Sequence, residues 1–247
     1  MSSQMADSST HGEQNYHTSR VASDSLAENH ESSQVTSMPI EPTLQYEIIH
    51  WQAGRRRIVG SDAVGLACAA GPVVAAAVIV DPDQAMIAGV RDSKTLSPSM
   101  RERLFERILD DVVAVGVGMA SAAEIDELNI YHAGNLATQR AIMRCGGADY
   151  ALLDGLPIRD FEQRVGPHQA IVKGDGSCYS IAAASIIAKV VRDRLMQLLA
   201  VAYPGYDWEH NVGYTTPRHR AGLLAHGVTP LHRRSWAPVK DILALAK

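Results

Sequence analysis

From Tyr46 onward the chain alternates short apolar runs with polar turns, and the runs follow two periods. Arg57 to Asp62 reads as a strand ending on an acid, and Val73 to Val80 is uninterruptedly apolar, as in a strand buried on both faces. Ser97-Pro98 opens a helix that runs through Asp111, with Ser as N-cap and Pro at the first helical position. Val112 to Met119 alternates, which predicts a third strand in an antiparallel meander. Ser121 to Asn129 and Tyr131 to Cys145 read as helices, the second ended by Gly146-Gly147. Tyr150 to Asp154 and Gln169 to Val172 read as strands. Ser180 to Ala202 is a long, strongly apolar helix stopped before Pro204, and Thr216 to His226 is a shorter one closed by Gly227. Three early strands followed by alternating helices and strands predict one α/β domain built on a mixed sheet.

Composition divides the chain into residues 1–45 and 46–247. The first part is rich in Ser, Thr, Gln, His and Glu, with few large apolar residues and no periodicity, and reads as a disordered, acidic tail. It carries six acids (Asp7, Glu13, Asp24, Glu28, Glu31, Glu41) against Arg20 alone, a balance of −5; the net charge of −4 therefore leaves +1 for the rest. That near-neutral remainder has basic spots at Arg55-Arg56-Arg57 and His232-Arg233-Arg234, which permit a polyanionic partner without requiring one. Cys68, Cys145 and Cys178 have neither zinc-knuckle nor redox spacing, so they read as small core residues in a reducing, cytoplasmic setting. The chain lacks a secretory signal at its N-terminus and an apolar run long enough to span a membrane.

Asp62, Asp154 and Asp175 each follow a strand-like run. One Asp-Gly after a strand is usually a turn. Three at successive strand ends converge on one edge of a sheet, where their charges repel unless a divalent cation sits among them; hard oxygen donors suit Mg²⁺ or Mn²⁺. Paired metal ions on carboxylates are a device for phosphodiester hydrolysis. Neither a Walker-type phosphate loop nor a Gly-x-Ser-x-Gly elbow occurs. Lys189 and Arg192 on the long helix, and His232, Arg233 and Arg234 further on, read equally as solvated groups or nucleic-acid contacts. His210, His219 and His226 lack metal-ligand spacing.

The chain resembles the ribonuclease HII family, the bacterial type 2 ribonucleases H. The resemblance rests on Gly60-Ser61-Asp62, Gly71-Pro72-Val73-Val74-Ala75-Ala76-Ala77-Val78, Asp92-Ser93-Lys94, Leu153-Asp154-Gly155, Lys173-Gly174-Asp175, the helix Ser180 to Arg194, Gly213-Tyr214 and His232-Arg233, in the family's order. It implies a ribonuclease-H-like fold: a mixed five-stranded sheet flanked by helices, plus a C-terminal helical part. It also implies an endonuclease that cuts the RNA strand of RNA-DNA hybrids, including ribonucleotides embedded in DNA, with Mn²⁺ or Mg²⁺, acting as a monomer. Asp62, Asp154 and Asp175 match three of the family's four catalytic, metal-binding acids; Ala63 stands at the fourth, a glutamate in the family. Gly65-Leu66-Ala67 replaces a Gly-Arg-Gly that reads the ribonucleotide 2′-hydroxyl, and Val212 replaces a lysine. Lys94 matches a phosphate contact and Tyr214 the tyrosine that packs on the sugar at the junction. Leu66 cannot supply the two guanidinium hydrogen bonds of an arginine, and an Ala67 Cβ is incompatible with positive φ. Two functions stay open at this point: hydrolysis of the hybrid, or binding of the hybrid without efficient cleavage.

Overall fold

The computed structural model describes residues 41–245. In chain order these form α1 (Gln45–Gln52), β1 (Ile58–Val64), β2 (Val73–Ile79), α2 (Pro98–Asp111), β3 (Ala114–Ala120), α3 (Ala122–Leu128), α4 (Ile130–Arg144), β4 (Tyr150–Asp154), α5 (Glu162–Val165), β5 (His168–Ile171), α6 (Tyr179–Ala202), α7 (Trp208–Asn211), α8 (Pro217–His226) and α9 (Ala237–Leu245). The sheet has five strands in the order β3-β2-β1-β4-β5. β1, β2 and β3 form the expected antiparallel meander, and β4 and β5 add in parallel beside β1. The expected tail falls mostly on residues outside those described. Thr43 is already tied into the fold, since its N–H donates to Ser177 and its carbonyl accepts from Tyr179.

The period of two along β2 sorts its side chains between two cores. Val73, Ala75, Ala77 and Ile79 face α4, while Ala76 and Val78 face α6 and α2. Small residues dominate on both faces because the helices approach closely. A Cβ on Gly116 or Gly118 of β3 would run into the backbone of α4. The first turn of α6 is capped from another element: buried Glu47 of α1 accepts from the Ser180 N–H at 2.8 Å, placing a carboxylate at the helix's positive end. A separate cluster of Ala69, Met196, Tyr206, Trp208, Leu223 and Val239 ties α7, α8 and α9 to the end of α6, which makes the C-terminal helical part. All three cysteines are buried and free. No helix among the described residues is long and apolar enough to cross a membrane.

Candidate active site

The pleat of β1 decides which side chains meet. Val59 and Ala63 lie on the α4 face; Val64 lies on the α6 face, and Asp62 shares its parity. In β4, Leu153 faces α4 and Leu152 faces α6, so Asp154 also belongs to the α6 face. Ser61 pairs with Leu153 across the parallel ladder, and the next step along both strands sets Asp62 beside Asp154. Asp175 comes from a 3₁₀ turn, Gly174–Gly176, between β5 and α6 rather than from a strand end. Lys173 enters that turn in the left-handed conformation at φ 56°. The Gly174 N–H donates to Asp154 Oδ1 at 2.8 Å, locking the turn onto the end of β4.

The three carboxylates therefore lie near enough for Asp154 and Asp175 to act on Asp62 through their charge. Asp62 is only 7% exposed, and its pKa is pushed up to about 8, by burial first and then by the charges of Asp154 and Asp175. Asp154 is raised as well, by burial and by Asp175. Partial compensation comes from Lys94, whose Nζ lies 2.9 Å from Asp175 Oδ2. Such a set of crowded oxygen donors, one of them costly to ionise, has the chemistry of a divalent-cation site. The residues that suit the cation are Asp62, Asp154 and Asp175. Among the described residues the group whose ligand atoms all lie within 4.8 Å of one another is a different trio, Asp207, Glu209 and His210, which is mainly exposed.

Beside the carboxylates opens a cavity of about 390 Å³, lined by Asp62, Ala63, Leu66, Asn135, Thr138 and Asp154 together with apolar groups. Leu66 is 44% exposed and leans on α4, where a Cβ at Gly134 would touch its Cδ2. Asp62 and Asp154 are the acids of this lining, and Ala63 stands beside them without an oxygen to offer. Tyr131, Gly134, Asn135 and Thr138 were not singled out by sequence reasoning. Their signal was an i, i+3, i+4, i+7 stripe along α4, which marks one helix face.

The loop after β1 is held by two fully buried arginines. Arg233 donates from Nε to the Gly71 carbonyl at 3.0 Å, from Nη1 to Leu66 at 3.0 Å and from Nη2 to Gly65 at 2.6 Å. Arg192, on α6, donates to the carbonyls of Pro72 (3.0 Å), Val212 (2.9 Å) and Ala70 (3.2 Å). Burial brings the Arg233 pKa down to about 10. Of the residues that read equally as solvated or as nucleic-acid contacts, Arg192, Arg233 and His232 are thus interior supports. Lys189 pairs with Asp193 at 2.7 Å, and Arg234 is exposed. Gly65 has φ +84°, and a Cβ there would strike the Arg192 side chain. Ala67 is not among the positive-φ residues, as its Cβ requires, and carries no backbone strain of that kind. With the carbonyls of Gly65 and Leu66 bound inward, the exposed Leu66 and Ala67 have no intramolecular acceptor for their amides among the described residues.

Tyr214 is 44% exposed and lies beside Cys68, next to this loop. Its turn is fixed from three sides. The Gly213 carbonyl accepts from Ala69 at 2.9 Å, the Gly213 N–H donates to Asn211 Oδ1 at 2.8 Å, and the Tyr214 carbonyl meets His219 Nδ1 at 2.8 Å. Val212, just before it, is a β-branched residue at φ 43°, a conformation that costs about 1–3 kcal/mol and persists only where surroundings impose it. Here the surroundings are the hydrogen bond from Arg192 and the packing of the C-terminal cluster.

The family profile described as Ribonuclease HII matches residues 59–239. A ribonuclease HII from Synechococcus sp. (strain JA-3-3Ab) is 51% identical over 207 residues, covering 83% of this chain and 92% of that one. Among solved structures, ribonuclease H2 from Pyrococcus horikoshii OT3 superposes with a TM-score of 0.63 at 26% identity, over 76% of this chain and 98% of that one. The Bst-RNase HIII structure in complex with Mn²⁺ gives 0.61 at 23% identity, over 77% of this chain and 70% of that one, a likeness of fold. With the profile spanning most of the sheet, the carboxylate end and the C-terminal helices, the chain belongs to the ribonuclease HII family.

Proposed function

We propose that this ribonuclease HII family member hydrolyses the RNA strand of RNA-DNA hybrids at the sheet end formed by Asp62, Asp154 and Asp175, and that it accepts single ribonucleotides embedded in duplex DNA. The observation that carries the reading is the meeting of three carboxylates, one with its pKa near 8, beside a loop whose amides have no internal partner. Asp62, Asp154 and Asp175 hold Mg²⁺ or Mn²⁺. Bound there, the cation supplies Lewis-acid stabilisation of the charge that develops on the phosphodiester oxygens.

The chain's own groups do the rest. The Leu66 and Ala67 amides hydrogen-bond the 2′-hydroxyl, the group that separates RNA from DNA. Tyr214 packs its exposed ring against the neighbouring sugar. Lys94, on the rim with its amine exposed, exchanges Asp175 for a backbone phosphate as the strand docks. Ala63 leaves the site one carboxylate short of the family set and Leu66 removes a bidentate phosphate contact, so cleavage is slower than with those groups present. The protein acts as a cytoplasmic monomer.

The test is a duplex with one embedded ribonucleotide and a uniform hybrid, each offered with Mn²⁺ and with Mg²⁺. Cleavage 5′ or 3′ of the ribonucleotide that is abolished by chelation and by Asp154→Asn is the expected result. A native protein that binds both duplexes yet cuts neither, while an Ala63→Glu, Leu66→Arg, Ala67→Gly variant cuts, would replace this reading with hybrid binding alone.

A further inference from the structure

The groove does not stop at Asp154. A second recess of about 390 Å³ opens next to the first cavity, and the two share Tyr131, Asn135 and Ile158 as common walls. One side of the recess is the first turn of α4, with Tyr131 and His132. The other is the segment joining β4 to β5, with Arg159, Asp160 and Arg164. Its floor is the buried ring of Phe161.

The charge along this groove changes sign. At the sheet end stand Asp62 and Asp154; then comes an apolar stretch of Leu66, Ile130, Leu156 and Ile158. Beyond it lie two guanidiniums against a single acid, Asp160. Neither Arg159 nor Arg164 forms an ion pair among the described residues, Asp160 included. Two cations facing one space repel unless an anion lies between them. The planar guanidinium fork matches a phosphate by paired hydrogen bonds, which an ammonium cannot do. Tyr131, 48% exposed, meets His132 edge-to-face at 5.1 Å and turns a free aromatic surface to the same opening. Such a surface is what stacks with a nucleobase.

We propose that this recess is a phosphate subsite for the nucleic-acid strand as it leaves the catalytic carboxylates. Arg159 and Arg164 bind a backbone phosphodiester; the preceding sugar rests on the apolar stretch, and Tyr131 stacks on an unpaired or frayed base. The subsite extends the proposed hybrid-cleaving function and rests on it. It reads backbone charge and not sequence.

Salt dependence tests it directly. Binding of a fluorescent ribonucleotide-containing duplex to the full chain is followed by anisotropy in chelator, between about 0.05 and 0.5 M salt. Each phosphate contact adds about 0.9 to the slope of log affinity against log salt, which is roughly eightfold in affinity at 0.1 M relative to 1 M salt. The Arg159→Ala, Arg164→Ala double variant should lose about 0.9 of a unit of slope, equally for unrelated sequences. Arg103→Ala, an exposed arginine on α2, should lose none. Shortening the duplex on one side of the ribonucleotide should erase the difference between native and double variant, because the strand no longer reaches the recess. Double and native proteins with the same slope, in a native protein that binds, would overturn the subsite and leave the proposed function standing. A native protein that binds no hybrid would sink both. Inorganic phosphate that competes only with mononucleotide, without moving the duplex slope, would make the recess a small-anion site and also overturn the inference. Both arginines are exposed, so the variants should fold.

Discussion

Lowering the pH from about 7.5 to about 5 should destabilise the C-terminal helices through one buried pair of histidines. His219 Nε2 lies 3.1 Å from the Trp208 indole nitrogen, which can only donate, so that ring nitrogen is bare. His219 Nδ1 therefore carries the proton and donates to the Tyr214 carbonyl at 2.8 Å. His232 Nδ1 accepts from the Thr229 N–H at 3.0 Å, which leaves Nε2–H to donate to His219 Nε2 at 3.1 Å. Neutral rings suit these contacts: a proton added at His219 Nε2 would face two donors, and one added at His232 Nδ1 would face the Thr229 N–H, with only Thr229 Oγ1 at 2.8 Å able to accept it. Burial, and then His219, bring the His232 pKa down to about 4 from 6.5. Because the folded value lies below the unfolded one, the unfolded chain takes up the proton first as pH falls. Nothing is lost above about pH 7.5. The loss grows between pH 6.5 and 4 and levels off below, at roughly 3 kcal/mol for a shift of about 2.5 units at 1.36 kcal/mol each. At pH 5 the same linkage gives about 2 kcal/mol, or roughly 4–8 °C in Tm for a domain of this size. His232→Gln keeps polar atoms near Thr229 and His219 but cannot titrate. Melting curves of native and variant at both pH values isolate the effect: the variant starts lower through lost packing, and the gap should narrow by about 2 kcal/mol at pH 5. Parallel pH dependences would refute the tautomer assignment and the linkage drawn from it.

Asp62→Asn should abolish metal-dependent cleavage by at least about a hundredfold, while raising the melting temperature measured in chelator at pH 8–9, because the native Asp62 must ionise next to Asp154 and Asp175. For the same reason the native apo-protein should lose stability as pH climbs from about 4 towards 8, the folded pKa being the higher one. Mg²⁺ or Mn²⁺ should restore it, with a Tm increase larger at pH 8.5 than at pH 6 and reversed by chelation; an equal increase at both would mean that the cation does not displace the Asp62 proton. Arg233→Lys keeps the charge but loses the fork on three buried carbonyls, and should cost about 3 kcal/mol or more in urea unfolding. Glu47→Gln should cost about 1 kcal/mol through the weakened cap on α6, read by the same unfolding midpoint.

Much of this arrangement was legible in the chain because local patterns and tertiary structure agree. The uninterrupted run at Val73 to Val80 is buried on both faces, Ser97-Pro98 does begin α2, and Tyr150 to Asp154 is β4. The short helices α1, α5 and α7 carried no periodic signal, since four to eight residues are too few to show a face. α1 owes its place to Glu47 at the start of α6, a contact between residues 133 apart in sequence. The site was half readable. Asp62 and Asp154 follow from strand-end position, but Asp175 sits in a helical turn whose placement depends on the Gly174 bond to Asp154. Lys94 looked like a phosphate contact and is seen on Asp175. Arg192, Arg233 and His232 could not be assigned from sequence at all, because charged side chains are mostly exposed and only a count of nearby carbonyls reveals an interior one.

Of the positions that depart from the family pattern, Ala63, Leu66 and Ala67 are those on which the frame depends least; Val212, held at φ 43° by Arg192, is the exception. The loop after β1 is shaped by its carbonyls, which any residue supplies, and by donors that arrive from α6 and from the segment after α8. The only demanding residue in its first turn is Gly65, at φ +84°, and it is a glycine. Ala63 sits at a cavity wall, and Leu66 and Ala67 point to solvent or to α4. Changing those three side chains alters charge and hydrogen bonding at the cleft without removing a support of the sheet, the loop or the Tyr214 turn. Fold and catalytic strength are therefore separable here, and a carboxylate introduced at position 63 meets a cavity already large enough to receive it.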